Sequence, residues 1–315
     1  MNQTVRDFEV IVVDNGSEDG SLARARDAVR GDDRFAFVDA GTNIGFAAGN
    51  NRAAARSSSP LLALLNPDAF AAPNWLEKLL HATERYPDVA MFGSTQLSAI
   101  NPTVLDGAGD HYFALGLPWR GGFGWTATAL PDEGEVFAPC AAAALYRRDA
   151  FVSVGGFDER FFCYVEDVDL AFRLRARGHR CIQVPTAVVH HVGGGSANTI
   201  SGFAQYHGMR NMVWCFVKNM PAPLFWPLLP FHILAILAVA LRASILRGPE
   251  SWRGARDSVR NLPWRSRRKE QSLRTASWRQ LAAAIAWSPG RYGTRAPFVF
   301  KRTPSTSGSS GVTPR

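Results

Sequence analysis

An α/β fold built on a mostly parallel sheet with helices on both faces is predicted by three observations. Short apolar, β-branched runs alternate with helical stretches over residues 8–94. Each run ends at a turn of Asp, Asn, Gly or Pro. Of the 315 residues, 46% are hydrophobic, enough for a substantial core. In such sheets ligands bind beyond the carboxyl ends of the strands.

Residues 8–13 (FEVIVV) read as a buried strand closed by the turn Asp14-Asn15-Gly16-Ser17. A helix over 21–29 and a strand over 35–39 follow. Residues 43–56 begin with glycines and turn helical. Residues 60–65 form another apolar strand, stopped by Asn66-Pro67-Asp68. An amphipathic helix is predicted over 75–86 and a strand over 89–94. Residues 100–135, rich in Gly, Pro and aromatics without clear periodicity, read as a long loop over the site. A strand returns at 137–146, and a short helix at 149–154 leads into Gly155-Gly156-Phe157-Asp158. The helix that starts at Glu166 runs to 177 and is closed by Gly178. Residues 181–190 are extended and lead to a His-His-Val-Gly-Gly-Gly-Ser loop. The Ser, Thr, Gly and Pro tail, 303–315, is expected to be disordered.

The formal charge of +8 is unevenly placed: residues 221–315 hold 16 Lys or Arg against three acids, and the remainder is mildly acidic. The basic segment follows residues 220–241, which carry no charge. That order favours an anionic membrane surface over nucleic acid, for which no stacking module is recognisable. Four prolines and His232 interrupt the apolar stretch, and a single pass would put the basic tail outside. A shallow or re-entrant helix on the cytoplasmic leaflet is therefore expected, with 242–279 on the headgroups. The expected division is 1–219, 220–302 and 303–315. The four cysteines lack paired or metal-ligand spacing, which indicates a reducing compartment.

The most informative stretch is 161–169, FFCYVEDVD. Glu166, Asp167 and Asp169 fall within four positions among aromatic and aliphatic neighbours. Such acids must be paired, metal-bound or used in chemistry. They could equally complement a helix dipole and pair with Arg173 or Arg175.

Four segments in order resemble the inverting family 2 glycosyltransferases of GT-A fold. They are VVDNGS around Asp14, NIGFAAGN around Gly45, LNPDA around Asp68, and GFDE followed by YVEDVDLAFR around Asp167. The nearest subgroup resembles the bacterial rhamnosyltransferases of cell-surface polysaccharide synthesis. The resemblance covers about residues 8–220. It implies a nucleotide-diphosphate sugar donor with rhamnose as the preferred sugar, a glycan or lipid-linked acceptor, and Mg²⁺ or Mn²⁺. It also implies a location on the cytoplasmic face of the bacterial inner membrane. Asp14 and Ser17 would bind the nucleoside, with an Asx-turn as the alternative. Asn43, Gly45, Asn66 and Arg210 would contact the rest of the donor. Asp68 stands where the family has its Asp-X-Asp signature, with Asn66 replacing the first acid, and would hold the cation. His190 or His191 would complete that site; adjacent strand residues face opposite ways, and His190 is preferred because it ends the apolar pattern. Asp167 would be the base, with Glu166 orienting it. Trp119, Trp125 and Asp169 are acceptor-side candidates, with Asp110 in the same loop.

The resemblance also predicts a strand and helix ahead of Asp14, residues 1–7 resembling that helix's tail. A galactofuranosyl or hexosyl donor, or a non-catalytic remnant, are the rival readings. A nicotinamide enzyme is disfavoured because no G-x-G-x-x-G follows the first strand.

Overall fold

The computed structural model describes residues 2–193 and 202–301. The expected loop residues 194–196 and the tail lie outside them. β1 (Val10–Asp14) and β2 (Phe35–Asp39) form a parallel pair joined through α1 (Ser21–Ala28). Residues 2–9 are not helical; the Thr4 amide donates to Pro73, and Glu9 receives the hydroxyls of Ser57 and Ser59. α2 (Gly45–Arg56) packs on β1.

The larger sheet contains β3 (Leu61–Leu65), β4 (Ala69–Ala71), β5 (Met91–Ser98), β10 (Ala143–Arg147) and β11 (Cys181–His191), with β6 (Leu105–Ala108) on β5 and β9 (Gly134–Val136) on β11. Its order is β3-β10-β5-β11-β4. β5 and β11 are parallel; the other pairs are antiparallel. The expected mostly parallel sheet is thus corrected to a mixed one. Parallel neighbours require crossovers of a dozen or more residues, whereas β5 and β6 are joined by a short turn.

Alternation along the strands builds two cores. Phe92, Leu145, Ile182 and Val184 face α3 (Trp75–Arg85), meeting Trp75, Leu79 and Ala82. Met91, Ala144, Tyr146 and Cys181 face the opposite side, toward α5 (Glu166–Ala176) and α6 (Phe203–Asn219). β11 shifts register between Val184 and Val188, spanning Pro185, which has no N–H to give the ladder. The shift sets which face the last residues of β11 present.

Residues 100–135 are not a long irregular loop. They hold β6, the hairpin β7 (Asp110–Phe113) with β8 (Leu117–Arg120), and β9. Glycines let chains approach there: a Cβ at Gly107 would collide with the Arg120 side chain. α4 (Arg148–Ser153) and the turn after it lead to α5.

α7 (Ala222–Arg247) is long and apolar enough to cross a membrane by length and composition. One face is nevertheless packed on the domain: Leu224, Phe225, His232, Ile236 and Ala240 are buried. The His232 ring stacks on Phe216 at 3.9 Å and its Nδ1 lies 2.7 Å from the Leu115 carbonyl. α8 (Glu250–Arg260) lies on α6, α9 (Trp264–Ser272) inserts Arg267 beneath the Val217 and Met220 carbonyls, and α10 (Trp278–Ala284) and α11 (Pro289–Thr294) follow.

Candidate active site

The loop before α5 organises the site. Phe162, Tyr164 and Val165 all have positive φ, of 65°, 69° and 67°. Such values are unfavourable for side chains of this size, most of all for a β-branched one, and persist only where surroundings impose them. Asn211 of α6 imposes them here: its Nδ2 donates to the carbonyls of Phe161 (2.9 Å), Cys163 (2.9 Å) and Tyr164 (2.7 Å). The loop ends by delivering Glu166 and Asp167 at the α5 N-terminus, where the helix dipole favours negative charge.

The half-buried Asp167 carboxylate accepts the Ala141 amide (3.2 Å) and the Val168 amide (2.8 Å). Burial raises its pKa; those two amides and Arg120 oppose the rise. Glu166 is buried, and its Oε2 has no hydrogen-bond partner among the described residues. Burial first and Asp167 second push its pKa well up. Asp110, buried on β7, has a carboxylate oxygen within 4.8 Å of one on Asp167, and burial and that neighbour likewise raise its pKa well above the carboxylate range.

The second carboxylate centre lies next door. Asn66, at the end of β3, donates its amide to Ala142, the residue after the one whose amide binds Asp167. The turn that follows presents Asp68, whose Oδ1 lies 3.5 Å from His191 Nε2. His191 Nδ1 is 2.7 Å from Asp106 Oδ2, and Arg120 Nη1 is 2.5 Å from the same oxygen. The turns bearing Asp68 and Asp167 and the end of β11 bearing His191 thus lie side by side, and the space they border is the candidate crevice. The β1 turn joins through α2: Asn15 reaches Asn43 and the Ile44 amide, and the Ala47 amide donates to Phe162. Asp14 is buried there and accepts the Ser17 amide at 3.2 Å, the Asx-type turn, with no hydrogen bond to its second oxygen among the described residues.

Several expected site residues serve the scaffold instead. Of the two histidines, His191 rather than His190 approaches Asp68, because the register after Pro185 turns His191 inward and leaves its neighbour on the other face. Gly45 has φ +84°, and a Cβ would stand 2.6 Å from the Phe162 ring, so that glycine exists for packing. Asn43 accepts from Asn15 and the Gly45 amide. Arg210 donates to the carbonyls of Arg160 and Phe161 and stacks over Trp214, turned to the loop rather than to a diphosphate. Asp169 is fully buried, paired with Arg173 (2.8 Å), Lys218 (2.9 Å) and Asn219 (2.8 Å), so it has no acceptor-side role. Trp119 is buried with its indole N–H on Ala296, which removes it as a sugar platform. Trp125 is half-buried with its N–H on Thr294.

Asp106 and Arg120 were missed from sequence. Asp106 carried a signal, an acid in the Leu-Asp-Gly-Ala-Gly-Asp run; Arg120 carried none. Two donor sets suit a cation unequally. Asp110, Cys140 and Asp167 have atoms within 4.8 Å of one another. Burial, however, holds the Cys140 thiol neutral, up to about 12, and Arg120 already lies beside the set. Asp68 with His191 presents a carboxylate oxygen and an imidazole nitrogen at a half-open position, and fits a hard cation better.

Solved glycosyltransferases share this architecture. The structure superposes on GalNAc-T7 with UDP, GalNAc and Mn²⁺ (TM-score 0.54, 14% identity, 69% of this chain and 43% of that one). It likewise superposes on the mannosyltransferase PcManGT of Pyrobaculum calidifontis, in complex with GDP-Man and Mn²⁺ (TM-score 0.51, 18% identity, 90% and 79%). The fold is that of a GT-A-type glycosyltransferase. Residues 1–155 match the model of Glycosyl transferase family 2. The N-acetylglucosaminyl-diphospho-decaprenol L-rhamnosyltransferase of Mycobacterium tuberculosis (strain ATCC 25618 / H37Rv) is 32% identical, over 60% of this chain and 68% of that one. The O-antigen biosynthesis protein RfbC of Myxococcus xanthus is 32% identical, over 58% of this chain and 15% of its own length. This chain belongs to glycosyltransferase family 2 and is a glycosyltransferase.

Proposed function

We propose that this enzyme transfers rhamnose, with inversion, from dTDP-rhamnose to a lipid-linked glycan at the cytoplasmic face of a bacterial membrane. The observation that carries the reading is the Ala141–Ala142 segment, which holds the Asp167 turn and the Asn66–Asp68 turn against each other. A base and a cation-holding carboxylate then face the same small space. The likeness to a rhamnosyltransferase supports the choice of sugar.

Asp14, through its second oxygen, binds the nucleoside. Asp68 and His191 would hold Mg²⁺ or Mn²⁺, which when bound neutralises charge developing on the departing diphosphate. Asp167 takes the acceptor hydroxyl proton as that oxygen bonds to the anomeric carbon. The bond to the diphosphate breaks on the opposite face, and its electron pair leaves with the diphosphate. One base suffices for inversion.

A donor panel tests this. dTDP-rhamnose should be turned over, and UDP-galactofuranose and UDP-glucose should not; turnover of a hexosyl donor alone would replace the sugar. An enzyme that binds dTDP yet transfers from none of the three would overturn the assignment. Asp68→Ala should raise the Mn²⁺ concentration needed for donor binding about tenfold or more, by calorimetry. Unchanged metal dependence would remove Asp68 from the cation site.

The C-terminal helices supply the membrane contact. On α7, Trp226, Phe231, Leu234, Leu237, Leu241 and Ile245 are exposed on the face away from the domain. Arg253, Arg256, Arg260, Arg265 and Arg268 follow on α8 and α9. A helix held on the domain by Phe225, His232, Ile236 and Ala240 suits lying in the interface better than crossing it. The protein should co-sediment with phosphatidylglycerol vesicles, and Leu234→Ser with Leu241→Ser should release it. Equal recovery of both proteins with the vesicles would exclude this face.

A further inference from the structure

We propose that Asp106, fastened by Arg120, is a positioning residue that fixes the tautomer and aim of His191. This rests on the reading of Asp68 and His191 as the cation site.

His191 lies between two carboxylates, with Nδ1 on Asp106 (2.7 Å) and Nε2 toward Asp68 (3.5 Å). A neutral imidazole has one donor and one acceptor nitrogen, and the shorter contact decides which is which. The Asp106 carboxylate only accepts, so it holds the proton on Nδ1. The Nε2 lone pair is left facing Asp68, ready to ligate. Carboxylates behind ligating histidines commonly set ring orientation and ligand basicity in this way.

Asp106 is itself held in place. Its side chain is 14% exposed, and Arg120 binds the same Oδ2 that receives His191. The Arg120 side chain crosses Gly107, the residue after Asp106, where no Cβ could be accommodated. Arg120 also stands opposite Asp110 in the β7–β8 pair, beside the Asp110–Asp167 carboxyls. Its guanidinium therefore ties the histidine's support to the base side of the crevice.

Long-range ¹H–¹⁵N NMR of ¹⁵N-histidine-labelled protein reads tautomers directly. The chain has 7 histidines, and His191→Gln assigns the relevant signals by their loss. His191 should be the Nδ1–H tautomer in the wild type and in Asp106→Asn, whose amide oxygen still accepts. It should lose that preference in Asp106→Ala. An Nε2–H tautomer in the wild type, or an unchanged tautomer in a folded Asp106→Ala protein, would overturn the proposal. Adding Mn²⁺ with dTDP separates the two readings. Selective broadening of His191 supports the cation site. Broadening elsewhere, with the tautomer as stated, removes the cation reading while the positioning role stands. Asp106→Ala should lower kcat/KM about 10–100-fold, with partial recovery in Asp106→Asn; equal loss in both would argue against positioning by hydrogen bonding.

Discussion

Asp167→Asn is expected to lower transfer about 10²–10⁴-fold, the usual contribution of a general base, while leaving dTDP binding unchanged. The amide is isosteric and can still accept the Ala141 N–H, so the loop and α5 keep their places. Proton acceptance is lost, together with one of the two backbone N–H contacts, since the amide nitrogen cannot accept. Single-turnover rates and dTDP affinity measured on the same preparation check this; a variant that turns over at the wild-type rate would exclude Asp167 as base. The pH dependence follows. Asp167 must be ionised to act, and burial raises its pKa above the ordinary 3.8, so activity increases as pH rises through the raised value. Arg120 opposes that rise. Arg120→Gln should therefore move the acidic limb of the kcat/KM profile to higher pH. A purely structural role for Arg120 would lower stability without moving the limb.

Asp169→Ala should destabilise the protein by about 3–5 kcal/mol, the effect of stranding buried charge. Lys218 and Arg173 would lose a shared carboxylate in a fully buried place, where Asn219 also donates. Chemical denaturation followed by circular dichroism measures it, and a loss below about 1 kcal/mol, the range of surface pairs, would show the network to be solvated. The pH signature is also defined. The pKa values of Asp158 and Asp169 are held below the ordinary 3.8, opposing burial: at Asp158 chiefly by Arg160 and Lys218, at Asp169 by Lys218 and Arg173. Groups with depressed pKa contribute fully above the unfolded value, and that stability is lost as pH falls through the folded one. The wild type should therefore weaken below about pH 4, and Asp169→Ala should weaken less steeply.

How far the chain could be read in advance depends on the kind of inference. Strands ending at Asp14 and at Asn66-Pro67-Asp68, the helix opening at Glu166 and the helix over 75–86 were legible because hydrophobic period and turn residues are local properties. Residues 100–135 were not, since strands of three or four residues with no alternating face leave no period to see. Asp169 looked like Asp167 in sequence. Two positions along a helix turned one acid to the crevice and the other onto Lys218.

By itself, the sequence determined which segments are apolar, where turns carry acids, and that the basic residues gather after an apolar stretch, because composition and spacing suffice for these. Only the tertiary structure decided that His191 rather than His190 meets Asp68, that Arg210 serves the loop, and that Asp106 and Arg120 enter the crevice. Those outcomes depend on strand register, above all the shift at Pro185, and on contacts between residues far apart in the chain. No local pattern encodes the direction in which such side chains point.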